Sequence, residues 1–561
     1  MTNTTTGSER PRGGWAGARA VPGTGRVMPG QRPGPARAAP LTARLARSAA
    51  GHWQFGIVLL AAVMMRVVVI LGYPPVLWFN DSYNYIQDAI TRIPDEVRPN
   101  GYPFLLYIVY PLHSWYPVAL LQAAMGAGMG AAIYALLRHR GLPWWGAILP
   151  ALPVLFDSYE LHLEHMVTAD PLFIFLVTIA VVMLCWSDRP SVAVMAVAGL
   201  LIGYATIVRS VGEPLLAVVL AGMLARRAGW RRLVTLAVAG LIPIGGYMAW
   251  FHHHYGKYAL TESTGAFLYG RVSSFAVCSA MAVPAGLRDL CDPVPPRYRP
   301  PAAQYIWSDV EMRPYQHTWT PLYAKLGANT ARRFTVSVNG TLERFAERAI
   351  EAQPAAYLRA VADDTLHTFG WSRQPDPHSW YGNGPAFQFV SGPELTRQVP
   401  WYATPARLPG TPGGHYCDAS CQRTDRQAQQ VQAAEKDFAG SGLGFTRAVQ
   451  PWERLLQVYQ RFVYLRGTLL GVIMLLGAAG IVTRWRRLGG LVPLPWLVAA
   501  LLIVAPPITA GFSYRYVLAA VPAACLAAGL AFASRTGERS VGALAADLRR
   551  HLGRRVRVEQ Q

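Results

Sequence analysis

The chain reads as an all-α polytopic membrane protein with about ten transmembrane helices and a large extracytoplasmic insert of mixed or mainly helical structure. Three observations predict the membrane class. Hydrophobic residues make up 52% of the 561 residues against 15% charged, and mean hydropathy is +0.20. The apolar residues gather into repeated runs of roughly 18 to 24, the length that crosses about 30 Å of hydrocarbon as helix. The basic residues behind the net charge of +21 fall largely between those runs: Arg10 to Arg47, Arg138 with Arg140, Arg226 and Arg227 with Arg231 and Arg232, Arg484 with Arg486 and Arg487, and Arg535 to Arg557. With all of these segments cytoplasmic, the positive-inside rule is met throughout. A nucleic-acid partner is not what this charge distribution points to.

Residues 1–50 are rich in Arg, Pro, Gly and Ala without an apolar stripe, which predicts a disordered basic cytoplasmic tail. The first apolar run, Phe55 to Tyr73, starts too late and runs too long for a cleaved signal peptide and reads as a signal anchor. Further spans are expected at 115–137, 143–157, 169–187, 191–208, 213–225, 233–251, 465–483, 492–511 and 515–533, with Pro150 and Pro153 kinking the third. A short apolar helix from Tyr102 to Leu112 should dip toward the membrane after the first loop. Gly126-x-x-x-Gly130 and Gly199-x-x-x-Gly203 have the small-residue spacing that lets membrane helices approach closely. The chain thus divides into an N-terminal membrane module at 51–251, an extracytoplasmic domain at 252–461, C-terminal spans at 462–533 and a basic cytoplasmic tail at 534–561.

The insert carries Pro, Trp and Tyr throughout, mixed charge, and a helical stretch from Leu342 to Asp364. Cys278 with Cys291 and Cys417 with Cys421 suit two local disulfides outside the cytoplasm, and a zinc site built from Cys417, Cys421 and His415 is the alternative for the second pair. Cys185 and Cys525 lie in apolar runs and read as small hydrophobes.

Three regions meet on the outer face. The first loop holds Asp81-Ser82-Tyr83 and Arg98-Pro99-Asn100-Gly101-Tyr102-Pro103, and Tyr83, Ile86 and Ile90 recur at helical spacing, which puts Asp81 near the start of a helix along the membrane surface. Asp81 could act there as a simple helix cap. The second loop gathers Asp157, Glu160, His162, Glu164, His165 and Asp170. Glu160 and Glu164, one helical turn apart, with His165 could ligate a divalent cation such as magnesium or manganese, or form only a solvated face. Asp170 precedes Pro171 and an apolar run with no further charge until Asp188, a depth at which ionisable residues are functional candidates. Arg209 ends the fifth span and Arg515, beside Tyr516, opens the tenth, both against the positive-inside bias; a guanidinium there matches a phosphate oxygen pair. No Walker, Rossmann or His-Glu-x-x-His pattern occurs, so a donor activated elsewhere and delivered on a lipid fits.

Taken together, Asp81-Ser82-Tyr83, Arg98-Pro99-x-Gly101-Tyr102-Pro103, Thr168-Ala169-Asp170-Pro171-Leu172, Arg209 and Arg515-Tyr516 resemble the membrane-embedded GT-C glycosyltransferases, in the bacterial branch akin to protein O-mannosyltransferases and the aminoarabinose transferases of lipid A (glycosyltransferase family 39-like). The resemblance covers 55–250 and, more loosely, the last three spans. It implies transfer of a sugar from a polyprenyl-phosphate donor to an extracytoplasmic glycan, lipid or protein acceptor. It casts Asp81 as general base, Asp170 as its catalytic companion, and Arg98, Tyr102, Arg209, Arg515 and Tyr516 as substrate-binding residues. The chain departs from that pattern at Ser82, where many relatives have a second acid, and at Ser210, where many have proline. The competing readings are a transporter or lipid flippase, and a scaffold whose outer domain binds cell-wall polymer. The expected place is the cell membrane, with both termini cytoplasmic and the active site and long insert outside.

Overall fold

In a chain whose apolar runs must satisfy every backbone polar group without water, helices are the available solution. The structure, a computed structural model, describes residues 41–299, 302–307, 336–372, 388–392, 433, 437–438, 446–484 and 490–533. The outer parts of both basic tails and the Cys417, Cys421 and His415 group lie outside the described residues. Residues up to His52 form one unit and those from Trp53 onward another. Helix α1, Leu41–Gly72, has non-helical backbone angles at His52.

The N-terminal helices continue with α2 (Asn80–Thr91), α3 (Gly101–Val109), α4 (Tyr116–His139), α5 (Trp144–Ile148), α6 (Leu152–Phe156), α7 (Ser158–Glu164), α8 (Asp170–Trp186), α9 (Val192–Val208), α10 (Leu215–Ala225) and α11 (Trp230–Tyr255). Four helical stretches, His52–Gly72, Tyr116–His139, Trp230–Tyr255 and Tyr514–Ala531, are long and apolar enough to cross a membrane, and Trp452–Phe462 with Gly467–Thr483 makes a fifth if that bent pair is one span. Shorter apolar helices occupy the remaining expected positions, so each of the ten carries a helix. The stretch from Trp144 to Phe156 is divided by a 3-10 turn over Leu149–Ala151, where Pro150 removes a backbone donor. Large apolar residues such as Leu60, Met64, Ile242 and Leu475 stay exposed on the helix surfaces, as lipid-facing positions do, while Met129, Ile133, Phe173, Ile202 and Leu526 belong to one buried core. The protein is an all-α polytopic membrane protein.

Close helix contact falls where the glycine spacing puts it. A Cβ on Gly203 would strike the carbonyl of Gly240 on α11, and one on Gly199 the carbonyl of Leu236. The arginines at the opposite end from Asp81 have a local task besides charge. Arg140 donates to the Cys185 carbonyl at 3.0 and 2.6 Å, Arg226 to Leu184 at 2.7 Å and Ser187 at 2.9 Å, and Arg484 to Ala531 at 2.7 Å and Ala533 at 3.1 Å. They satisfy the carbonyls that a helix leaves open at its C-terminus.

The insert contributes α12 (Thr264–Ser273), α13 (Ala302–Trp307), α14 (Val336–Ala352) and α15 (Pro354–His367). These helices share a second core around Tyr269, Leu342 and Phe345. A disulfide joins Cys278 to Cys291, and Arg271 pairs with Asp364 at 2.8 Å. The expected single helix from Leu342 to Asp364 is two, because Pro354 stands at the first position of the second and has no N–H to continue the first. The chain returns through α16 (Trp452–Phe462), α17 (Gly467–Thr483), α18 (Pro493–Thr509), α19 (Tyr514–Leu518) and α20 (Val521–Ala531).

Candidate functional site

Two loops that are far apart in sequence are laced together at the backbone. Leu77 forms an isolated parallel bridge with Met166: its N–H donates to the His165 carbonyl at 2.9 Å and its carbonyl accepts from Val167 at 3.0 Å. Ser82, fully buried, adds a third tie, donating its hydroxyl to the Val167 carbonyl at 2.6 Å while accepting from Phe79 N at 2.9 Å. Ser82 thereby holds the start of α2, and Asp81 is released from capping. The Asp81 carboxylate binds two arginines: Arg98 at 2.7 Å through Oδ1 and Arg515 at 2.9 Å through Oδ2.

Asp170, in the first turn of α8, receives the rest of Arg515. Nε and Nη2 of that guanidinium reach Asp170 Oδ2 at 2.8 and 2.5 Å, and Arg209 pairs with Asp170 Oδ1. Arg209 follows the last residue of α9, and its guanidinium lies 5.3 Å from the Tyr516 ring centre. Arg515 stacks over Phe79 at 4.9 Å. Accessibility divides the cluster. Asp170 and Arg515 are 1% and 2% exposed, whereas Asp81, Arg98 and Arg209 keep 15, 16 and 17%. The first pair is a floor and the other three side chains form a rim that a ligand can touch.

Arg98 is delivered by a braced turn. Asn100, buried, accepts from Asp95 N at 2.9 Å and from the Tyr247 hydroxyl at 3.2 Å, and donates to the Ile93 carbonyl at 3.0 Å. Asp95 sits 3.7 Å from the second terminal nitrogen of Arg98. Gly101 is needed for the approach of α3 to α9, since a Cβ there would press on the Ile207 carbonyl.

The electrostatics follow from this arrangement. Burial would push the Asp81 carboxyl up, but the charges of Arg98 and Arg515 outweigh it and hold its pKa below the ordinary 3.8. Burial, reinforced by the Asp81 charge, pushes Tyr85 up to about 12, so its phenol stays protonated. Three guanidinium groups face Asp81 and Asp170, and Asp95 stands behind Arg98 as a third acid; the accessible rim sets two arginines, Arg98 and Arg209, against one carboxylate, Asp81, and so suits an anion.

Asp81, Asp170, Arg98, Arg209, Arg515 and Tyr516 are therefore brought together. Tyr102 is not. It is fully buried, donates to Gln122 Oε1 at 2.7 Å and meets Tyr85 edge-on at 5.2 Å, so it braces α2 from behind the cluster. The expected cation set does not assemble either. Glu164 turns inward to Arg66 at 2.6 Å, and the His165 ring nitrogen Nε2 lies 2.7 Å from the Tyr73 carbonyl. Asp157 caps α7, accepting from Tyr159 and Glu160 N–H. Among the described residues no group of three or more His, Cys, Asp or Glu side chains is placed to hold a metal ion, so Glu160, Glu164 and His165 do not fit a bound divalent cation.

The sequence reading misses Arg66 and Gln122. Arg66 is buried, donating to the Ala62 and Leu155 carbonyls as well as to Glu164. Gln122 bonds the Glu164 and Met166 carbonyls at 2.7 and 2.8 Å. The signal for Arg66 is plain in the chain: it is a lone charge inside the first apolar run. Gln122, a neutral amide inside another run, gives a weaker one.

No family model and no curated protein matches the chain. Among solved structures, the S. cerevisiae protein O-mannosyltransferase Pmt1-Pmt2 complex bound to the sugar donor is similar over 39% of this chain and 36% of that chain, with 17% sequence identity and a TM-score of 0.30. The chain thus matches little more than a third of the length of that neighbour.

Proposed function

We propose that the protein is a membrane glycosyltransferase that moves a sugar from a polyprenyl-phosphate carrier to an acceptor hydroxyl on the extracytoplasmic side. The observation that carries this reading is the rim and floor: an ionised, partly open Asp81 beside three arginines, two of which are gripped by a buried Asp170. The acceptor hydroxyl attacks the anomeric carbon as its proton passes to Asp81 Oδ1 or Oδ2. The new C–O bond forms as the bond from the anomeric carbon to the phosphate oxygen breaks, and the electron pair leaves on the lipid phosphate. Arg98 and Arg209, at the rim, take up that charge, an electrostatic contribution that is strong where water is excluded. Asp170 holds Arg209 and Arg515 in place. Every one of these groups stands at or near a helix end on one side of the bundle, which supports interfacial chemistry over transport, since transporters place such groups near the midplane on broken helices.

The test is transfer in reconstituted vesicles supplied with polyprenyl-phosphate-linked hexoses and pentoses, read as release of polyprenyl phosphate. Asp81→Asn should insert and fold as the parent does yet lose about 10²- to 10⁴-fold in rate, the usual worth of a general base. Release at the parental rate would remove Asp81 from the mechanism.

A further inference from the structure

Helix α16 has two unlike faces. One is committed to the protein: the Glu453 carboxylate accepts from Gln457 at 2.9 Å and from Gly392 N at 3.2 Å, Leu456 is buried and would contact any side chain at Gly72, and Tyr459 donates to the Phe156 carbonyl at 2.6 Å. The other face carries Leu455, Val458 and Phe462, exposed at 48, 46 and 74%. They stand at i, i+3 and i+7, one stripe of a helix. Arg454 and Arg461, both exposed, flank the stripe.

What covers this stripe is fixed by what adjoins it. After α16 the chain bends by 55° into α17, whose own outward residues Leu469, Val472 and Leu475 are exposed apolar side chains of a membrane helix, so exposed apolar side chains lie on both sides of the bend. At the junction the Arg466 guanidinium lies between the rings of Trp371 and Tyr464, at 4.6 and 4.8 Å, an aromatic pair of the sort that marks the bilayer boundary. From residue 446 to 467 there are four arginines and one acid, Glu453, which is buried. We propose that α16 lies in the headgroup layer of the bilayer, with Leu455, Val458 and Phe462 entering the acyl boundary and Arg454 and Arg461 holding the phosphates of anionic phospholipid.

The test uses the full-length protein in nanodiscs of phosphatidylcholine with or without phosphatidylglycerol. An environment-sensitive fluorophore on Phe462→Cys, with the unsubstituted protein as labelling background, should be quenched by lipid carrying a nitroxide high on the acyl chain; the same probe on Arg348→Cys, an exposed position of α14, should be quenched only by aqueous iodide. In native mass spectrometry, Arg454→Gln with Arg461→Gln should retain phosphatidylglycerol less well, by roughly fivefold in affinity per arginine, with phosphatidylcholine unchanged. Quenching of the Phe462→Cys probe by iodide and not by lipid overturns the proposal, as does parental retention of phosphatidylglycerol by the double variant. Neither readout depends on sugar transfer, so failure here leaves the catalytic reading standing and the reverse holds too.

Discussion

Asp81 is charged because of its neighbours, and this makes its protonation a direct probe of the cluster. With its pKa held below 3.8, the carboxylate contributes stability that is fully present above the unfolded value and disappears as pH falls through the lower folded one. Activity that needs the ionised base has its acid limb at the same low pH. Arg98→Met removes the largest of the three charges responsible, those of Arg98, Arg515 and Arg209, so the acid limb of the pH–rate profile should move upward toward neutral while the alkaline side is unchanged; an acid limb that stays put would show that Arg98 does not govern Asp81. The charged members of the cluster were legible in the sequence because ionisable residues beside apolar runs are costly and therefore conspicuous. Ser82 and Asn100 were not, since their importance lies in which carbonyl or N–H they reach, and Tyr102 was misplaced because a tyrosine next to a charged motif looks the same whether it faces a ligand or a neighbouring ring.

Among the elements, α9 and α11 set the position of Arg209, and their separation depends on having no side chain at Gly203. Gly203→Ala forces a methyl into the Gly240 carbonyl and should lower the melting temperature by separating the helices, taking Arg209 with it. Gly245→Ala, on the same α11 but with nothing within 4 Å, should be neutral or stabilise by up to about 1 kcal/mol, the helix preference of alanine over glycine. Equal effects at the two positions would show that close packing is not what Gly203 provides. Helix existence and the Gly-x-x-x-Gly contact were readable from periodicity, because lipid-facing helices obey few rules and obey them strictly. The arginines at the far ends were read only as topology signals; their capping of Cys185, Leu184 and Ala531 carbonyls depends on tertiary neighbours that no single run of sequence records.

At the level of the whole molecule, orientation ties the fold to the reaction. The Cys278–Cys291 disulfide belongs to the insert, and Cys185 and Cys525 are buried in the bundle. With the insert outside and Cys417 and Cys421 both replaced by Ser, a membrane-impermeant reductant added to intact cells should open the disulfide and allow labelling of Cys278 by an impermeant maleimide, a signal that further Cys278→Ser with Cys291→Ser abolishes. Labelling that appears only after the membrane is breached would place the insert, and with it the Asp81 face, on the cytoplasmic side. The lacing of Leu77 to Met166, reinforced by Ser82 on Val167, has a mechanical meaning for that face. It joins the two acids into one fixed jaw, so a bulky ligand cannot be admitted by parting Asp81 from Asp170. Arg515, bound to both acids at 2.5 to 2.9 Å, closes the base of that jaw, and the side left open to a ligand is the one lined by Arg98 and Arg209.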